Sequence, residues 1–318
     1  MKIHFRCPTG RLPVLMAILL LPGSAPARPA ADPQVIELWP EGVPDLRADA
    51  SEERDLGGGT FLNIHKPALV VYTPTTNQVA DTAVVFCAGG GYERVAVGPN
   101  GGAITRWLNS LGVTVFVLKY RNKEYGHPAP LRDVLRAVRI VRSRAQEFGV
   151  HPGHIGVMGG SAGGHLTASA GTLFDAPEGR TGAPLDQVSA RPDFLVLIFP
   201  VITMQEPYVH APSRRNLLGS QPGEELKRHL SVELQVATNT PPTFLIHSSE
   251  DRTVPVENSL LFYQAMRKAG APIEMHLYPR GPHGSGTSPS LGPTSEWPRL
   301  CELWMRFNGW LPANATNR

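Results

Sequence analysis

Residues 154–174 read HIGVMGGSAGGHLTASAGTLF, and this stretch decides how the chain is to be folded. An apolar, β-branched run up to Met158 gives way, through glycines, to a helix-forming segment that begins at Ala162. A serine stands at the junction, in the pattern Gly159-Gly160-Ser161-Ala162-Gly163. Small residues in a tight loop are one reading of G-x-S-x-G. The strand-to-helix context supports another. A serine on a sharp turn there has its hydroxyl lifted above the sheet, flanking glycines let strand and helix approach, and the helix start supplies N–H groups beside it.

Outward from that junction the chain alternates strands and helices. ALVVYTP (68–74), TAVVFCA (82–88), VTVFVLKYR (113–121), DFLVLIFPVI (193–202), PTFLIHS (242–248) and IEMHLYP (273–279) read as strands, and ADPQVIELWPEGVP (31–44) as a first edge strand and turn. PNGGAITRWLNSLG reads as a helix stopped by Gly112, and Pro130 opens a long helix with an apolar stripe at Leu131, Val134, Leu135, Val138 and Val141. The arginines of that helix (132, 136, 139, 142 and 144) read as a solvated face. SLLFYQAMRKAG and SEWPRLCELWMRFNGWL complete the helices. Residues 203–238 break the rhythm and read as an insertion over the carboxyl edge of the sheet. The fold class is α/β: one mostly parallel sheet with helices on both faces, its site at the carboxyl ends of the strands.

The 318 residues are 42% hydrophobic and 18% charged, enough for one large core over residues 28–318. A net charge of +3 is too weak to argue for nucleic acid or an anionic surface. Lys2, Arg6 and Arg11, the apolar LPVLMAILLL and the run Ala25-Pro26-Ala27 read as a signal peptide cleaved near residue 27, which places the protein outside the cytoplasm, secreted or periplasmic, with no membrane span after cleavage. Of three cysteines, Cys7 lies in that leader; Cys87 and Cys301 read as buried free thiols, with a disulfide as the other possibility. Nothing has the spacing of a zinc ribbon.

A serine nucleophile needs a base, and the base an orienting acid; in this fold both follow the serine, acid first. HSSEDRTVPVENS follows the strand PTFLI and offers Asp251, with Glu250 the close rival. His283, in the loop YPRGPHGSG after the last strand, is the base of choice. His247 and His276 fall inside strands and read as packed or hydrogen-bonded core histidines. His165, in the helix behind the serine, reads as support for its turn. Oxyanion donors are expected at the N–H of Ala162 and, from Ala88-Gly89-Gly90-Gly91-Tyr92 after an early strand, at Gly90 and Gly91. That loop lacks the lysine and the spacing of a phosphate cradle. Tyr92 and Arg94 are candidate sugar contacts, and Trp107 a third for which packing is at least as good a reading.

FCAGGGYERVA, the run from KYRNKEYG through VMGGSAGGHL, and HSSEDRTVPVENSLLFYQAMRKAGAPIEMHLYPRGPHG together resemble the α/β-hydrolase esterases of the acetylxylan esterase and BD-FAE group, near the hormone-sensitive-lipase-like enzymes. The resemblance covers roughly residues 35–310. It implies Ser161 as nucleophile, Asp251 as acid, His283 as base and the triple-glycine loop as oxyanion site. Cys87-Ala88 departs from the Cys-Pro of acetylxylan-type relatives and from the histidine of lipase-like ones.

Hydrolysis of acyl esters, acetyl foremost, on plant polysaccharide or oligosaccharides is the function expected, with no metal or organic cofactor. A general short-chain carboxylesterase or feruloyl-type esterase is the second reading, since residues 203–238 are too polar for a lipase lid. A catalytically silent scaffold that binds carbohydrate or protein is the third; such scaffolds lose a triad member, and none is missing here.

Overall fold

The computed structural model describes residues 33–313 apart from 75, 77, 78, 285, 286 and 288, with Met1 and His4 besides. The chain divides into Met1–Asp32 and Pro33–Arg318, and every strand and helix among the described residues lies in the second unit. Apart from Met1 and His4, the leader read over residues 1–27, Cys7 included, lies outside the described residues.

The elements follow in the order β1 Gln34–Glu37, β2 Arg54–Asp55, β3 Thr60–Leu62, β4 Ala68–Tyr72, β5 Ala83–Cys87, β6 Arg94–Ala96, α1 Gly102–Ser110, β7 Thr114–Lys119, α2 Ala129–Ser143, β8 Ile155–Gly160 and α3 Ala162–Thr172. β9 Phe194–Ile198, α4 Ala211–Leu218, α5 Glu224–His229, β10 Thr243–Ser248, α6 Glu257–Ala269, β11 Ile273–Tyr278 and α7 Trp297–Phe307 complete them. Eight strands form the main sheet in the order β1-β4-β7-β5-β8-β9-β10-β11. β1 and β4 pair antiparallel at one edge, β4 runs antiparallel to β7, and the remaining pairs are parallel. β2, β3 and β6 make a small antiparallel sheet that the sequence pattern did not show, because strands of two or three residues carry no measurable period.

Central strands β5, β8 and β9 read as unbroken apolar runs because both faces are covered: Val84, Val85, Val157, Leu195 and Val196 are wholly buried. β5 sits between β7 and β8, so the chain leaves it first to one side and then to the other. That reversal opens a crevice beyond the carboxyl ends of β5 and β8, where the glycine loop and Ser161 stand.

α2 packs its apolar stripe as the sequence predicts; Leu131, Val134, Leu135, Val138 and Val141 are at most 3% exposed, each contributing about 1.5–3 kcal/mol of burial. Its arginines are not a solvated face. Arg136 and Arg139 are buried, Arg136 donating to the Leu38 carbonyl and pairing with Glu41, Arg139 pairing with Asp186. Arg132 pairs with Asp45 and Arg142 with Asp193. These partners come from loops distant in sequence, which a helical period alone does not reveal. Asp133 on the same helix accepts from Arg121 in the loop after β7 and from the indole of Trp39, the ion pair being fully enclosed.

The insertion between β9 and β10 holds α4 and α5 and a single turn at Val232–Gln235. Cys87 and Cys301 are free and buried, and burial pushes the Cys87 thiol up to about 12. No helix among the described residues is long and apolar enough to cross a membrane.

Candidate active site

Ser161 lies between β8 and α3 with φ 56° and ψ −126°, a left-handed conformation that a residue with a Cβ adopts only when its surroundings impose it. Its N–H donates to the Ile198 carbonyl on β9, while its own carbonyl accepts from Val201 and His165. Glycine at 163 is required by contact: a Cβ there would stand 2.1 Å from the Cys87 carbonyl oxygen. The helix start and the glycine loop thus meet backbone to backbone.

His283 Nε2 is 2.9 Å from Ser161 Oγ, and His283 Nδ1 is 2.6 Å from Asp251 Oδ2. The carboxylate accepts, so Nδ1 carries the proton and Nε2 is free to accept from the serine hydroxyl. Asp251 Oδ1 accepts from the N–H groups of Thr253 and Val254 at 2.8 and 3.0 Å. Burial works to raise the Asp251 pKa. Hydrogen bonds from His247, His283, Val254 and Thr253 overcome it, and the carboxyl is held well below the usual range. Glu250, the rival acid, faces the Gly281 N–H and not the imidazole.

His247 is the neighbour that sequence reading placed only as a core histidine. It is wholly buried; Nδ1 is 2.7 Å from Ser259 Oγ, and Nε2 is 3.2 Å from Asp251 Oδ2 and 3.1 Å from the Val254 carbonyl. A carbonyl can only accept, so Nε2 carries the proton and donates toward Asp251. His276, by contrast, is half-exposed on the edge strand and pairs with Glu274.

The glycine loop after β5 crosses in front of Ser161. Gly90 has φ 139°, and a Cβ on it would lie 2.1 Å from the Arg94 carbonyl oxygen. Gly90 O accepts from Glu93 and Arg94, the Ala88 carbonyl accepts from Tyr120, and the Gly91 carbonyl accepts from Asn216 of the insertion. Ala162 opens α3, where an N–H has no acceptor within the helix.

One candidate sugar contact, Tyr92, is corrected, and for Trp107 the packing reading holds. Tyr92 is 1% exposed; its hydroxyl donates to His165 Nδ1 at 2.8 Å, and its ring packs edge-on against Tyr120 and His165. Enclosed in this way it braces the glycine loop and is out of reach of a ligand. Trp107 packs edge-on against Trp297 at 5.2 Å. Arg94 does line the cavity. The side chain of His165, expected to support the serine turn, instead reaches the glycine loop through Tyr92: Nε2 donates to the Leu230 carbonyl at 2.8 Å, and burial pushes its pKa down to about 4.

The cavity in front of Ser161 has a volume of about 560 Å³, and Gly90, Gly91, Ser161 and His283 all face it. Ile104 and Phe199 supply apolar wall, and His210 and Asn216 come from the insertion. Phe199 has φ 38°, an outlier for an aromatic residue, and its ring meets the His283 imidazole edge-on at 4.9 Å. Its only sequence signal was its place at the end of a buried strand. The arrangement has what acyl transfer asks of a site: a hydroxyl on a base, the base on a carboxylate, and a glycine loop lining the same space.

An endo-1,4-beta-xylanase B of Butyrivibrio fibrisolvens is 37% identical over 222 residues, 69% of this chain and 34% of that protein. An acetylxylan esterase of Xylanibacter ruminicola is 34% identical over 225 residues, 70% of this chain and 44% of that protein. The chain therefore spans less than half the length of these curated relatives. Among solved structures, the acetyl ester-xyloside bifunctional hydrolase of Caldicellulosiruptor lactoaceticus superposes with a TM-score of 0.74 at 39% identity, covering 87% of this chain and 97% of that one. The fold is that of the α/β-hydrolases, as the sequence predicts. Residues 69–266, which run from β4 into α6 and hold both Ser161 and Asp251, match the BD-FAE family model, and the chain belongs to the BD-FAE family.

Proposed function

We propose that this protein is a carboxylic ester hydrolase that removes acyl groups, acetyl foremost, from plant polysaccharide or its oligosaccharides, and that it works outside the cytoplasm. The observation that carries the reading is the continuous hydrogen-bonded line from Asp251 through His283 to Ser161, opening on a cavity that Gly90 and Gly91 also line. Similarity to an acetylxylan esterase and to an acetyl ester-xyloside hydrolase supports the substrate class. The leader motif in residues 1–27 supports the location.

In this reading His283 Nε2 takes the Ser161 proton as Oγ attacks the ester carbonyl. Asp251 holds the imidazole in the required tautomer and stabilises the imidazolium that forms. Negative charge developing on the carbonyl oxygen falls to the N–H groups of Ala162, Gly90 and Gly91; loss of one such donor costs about a hundred- to a thousandfold in rate. His283 then returns the proton to the departing sugar alcohol, and water repeats the attack on the acyl-enzyme. We assign Arg94 and His210, which line the cavity, to the alcohol side. The apolar wall of Ile104 and Phe199 favours the second reading, a broader short-chain carboxylesterase, to the extent that it accepts acyl chains beyond acetyl.

The test is kcat/KM for wild type and Ser161→Ala on 4-nitrophenyl acetate, butyrate and octanoate, beside acetate release from acetylated xylo-oligosaccharides. Acetate release from the sugar with a steep fall beyond butyrate upholds the proposal. Better turnover of octanoate with an inert sugar replaces it by the broader esterase, and a Ser161→Ala variant as active as wild type overturns the mechanism. N-terminal sequencing of protein recovered from the periplasm or medium tests cleavage near residue 27.

A further inference from the structure

Three residues that the ester chemistry leaves unused converge beneath the insertion. His127 stands in the loop between β7 and α2, Glu178 in the turn Pro177–Gly179 after α3, and His229 at the end of α5. One ligand atom from each lies within 4.8 Å of those of the other two. His229 Nε2 is 2.6 Å from Glu178 Oε1, and the rings of His127 and His229 stand edge-on with centroids 6.1 Å apart. All three are half-buried. His127 also lines a groove of about 520 Å³ with Tyr125, Asn216 and Leu226, so the cluster is reachable from solvent.

We propose that His127, Glu178 and His229 form a binding site for a divalent transition ion of the zinc type, which fastens the insertion to the body of the domain. The donor set selects this class of ion. Two imidazoles and one carboxylate suit zinc, which takes three protein ligands and a water at about 2.0–2.2 Å; calcium and magnesium require a shell of oxygens. Ligands at such distances on a tetrahedral ion stand about 3.4 Å apart, so small side-chain rotations close the present spacing. A hydrogen-bonded pair accounts for His229 and Glu178, but it gives no role to a third donor from a different segment. The cation beside them, Arg132, is engaged by the Asp45 carboxylate and gives its Nε–H to the Glu178 main-chain carbonyl.

The ion would act on structure, since none of its ligands lines the cavity at Ser161. Leu230, next to His229, accepts from His165, which in turn holds Tyr92 behind the glycine loop. Asn216 of the same insertion holds the Gly91 carbonyl. The three segments come together only in the folded chain, so the ion binds that state alone, stabilises it by mass action and stiffens this support. No short motif announces the site, because each ligand comes from a separate segment.

The experiment uses the full, tag-free protein freed of metal by EDTA and titrated with ZnCl2 calorimetrically, with Co²⁺ as a spectroscopic probe. One zinc per chain with Kd of about 1 μM or tighter is expected, together with a melting midpoint raised on the order of 5 °C at hundredfold excess over Kd. The intense visible bands of low-coordinate Co²⁺ should appear in the wild type. His127→Ala and His229→Ala should each weaken zinc binding at least thirtyfold and Glu178→Gln tenfold or more, while His154→Ala, at the surface pair His154–Asp81, leaves it unchanged. Near-UV circular dichroism and melting in EDTA report whether each variant is folded, and the wild-type Co²⁺ spectrum stands whether or not they are. Absence of wild-type binding at 1 mM zinc, octahedral Co²⁺ only, or binding that survives in folded His127→Ala and His229→Ala overturns the proposal.

Discussion

His247 and His283 both reach Oδ2 of Asp251, one from inside the core at 3.2 Å and the other from the cavity at 2.6 Å. The shared oxygen makes the buried histidine a positioning residue for the exposed one. The Val254 carbonyl, which can only accept, keeps the proton on His247 Nε2, and Ser259 anchors the ring from the far side through Nδ1.

His247→Ala is expected to leave Asp251 with one donor fewer and more torsional freedom. A hydrogen bond to a charged group is worth about 1.5–3 kcal/mol, so kcat on 4-nitrophenyl acetate should fall roughly tenfold to a hundredfold with little change in KM. His247→Gln, whose amide can still donate, should recover part of the loss. Equal loss in both variants would reduce His247 to a packing role.

Phe199 closes one wall of the cavity against His283. Truncation in Phe199→Ala should admit longer acyl chains, raising the octanoate-to-acetate ratio of kcat/KM about tenfold, while acetate turnover falls severalfold as the imidazole loses its packing. A chain-length profile unchanged from wild type would place the acyl pocket elsewhere in the cavity.

His165 gives the fold a dependence on pH. Burial holds its pKa near about 4, against 6.5 for the ordinary group, so the unfolded chain binds this proton between those values and the folded chain does not. The contribution is complete above pH 6.5, declines as pH falls from 6.5 to 4, and amounts to about 3 kcal/mol. Urea denaturation with EDTA present should show that decline, and His165→Gln should make it shallower, the remainder coming from His127, whose pKa burial likewise lowers to about 4. A wild-type stability that is level from pH 6.5 to 4.5 would contradict the assignment.

Asp133 joins α2 to the loop after β7 through its enclosed pair with Arg121 and its bond from Trp39. Asp133→Asn strands the guanidinium without a counter-charge. Loss of about 3–5 kcal/mol is expected, read as a lower urea midpoint at unchanged slope. A change under 1 kcal/mol would mean that water or the Pro44 carbonyl, which also accepts from Arg121, takes over the charge.

The local chemistry of the site was written in the chain. Ser161 between glycines and Asp251 each lie where a buried apolar run ends, legible because both faces of those strands are covered, while His283 follows the half-exposed edge strand β11 in a loop marked by glycine and proline. Glycines 90 and 163 were legible for the same reason, since backbone conformation and close approach select glycine locally. Tertiary packing decided the rest. Whether Tyr92 faced a sugar or the core, which carboxylates met the arginines of α2, and that His247 would turn toward Asp251 all depend on partners brought together from distant segments. Periodicity along one element fixes which face is buried; only the folded chain fixes what a buried polar group finds there.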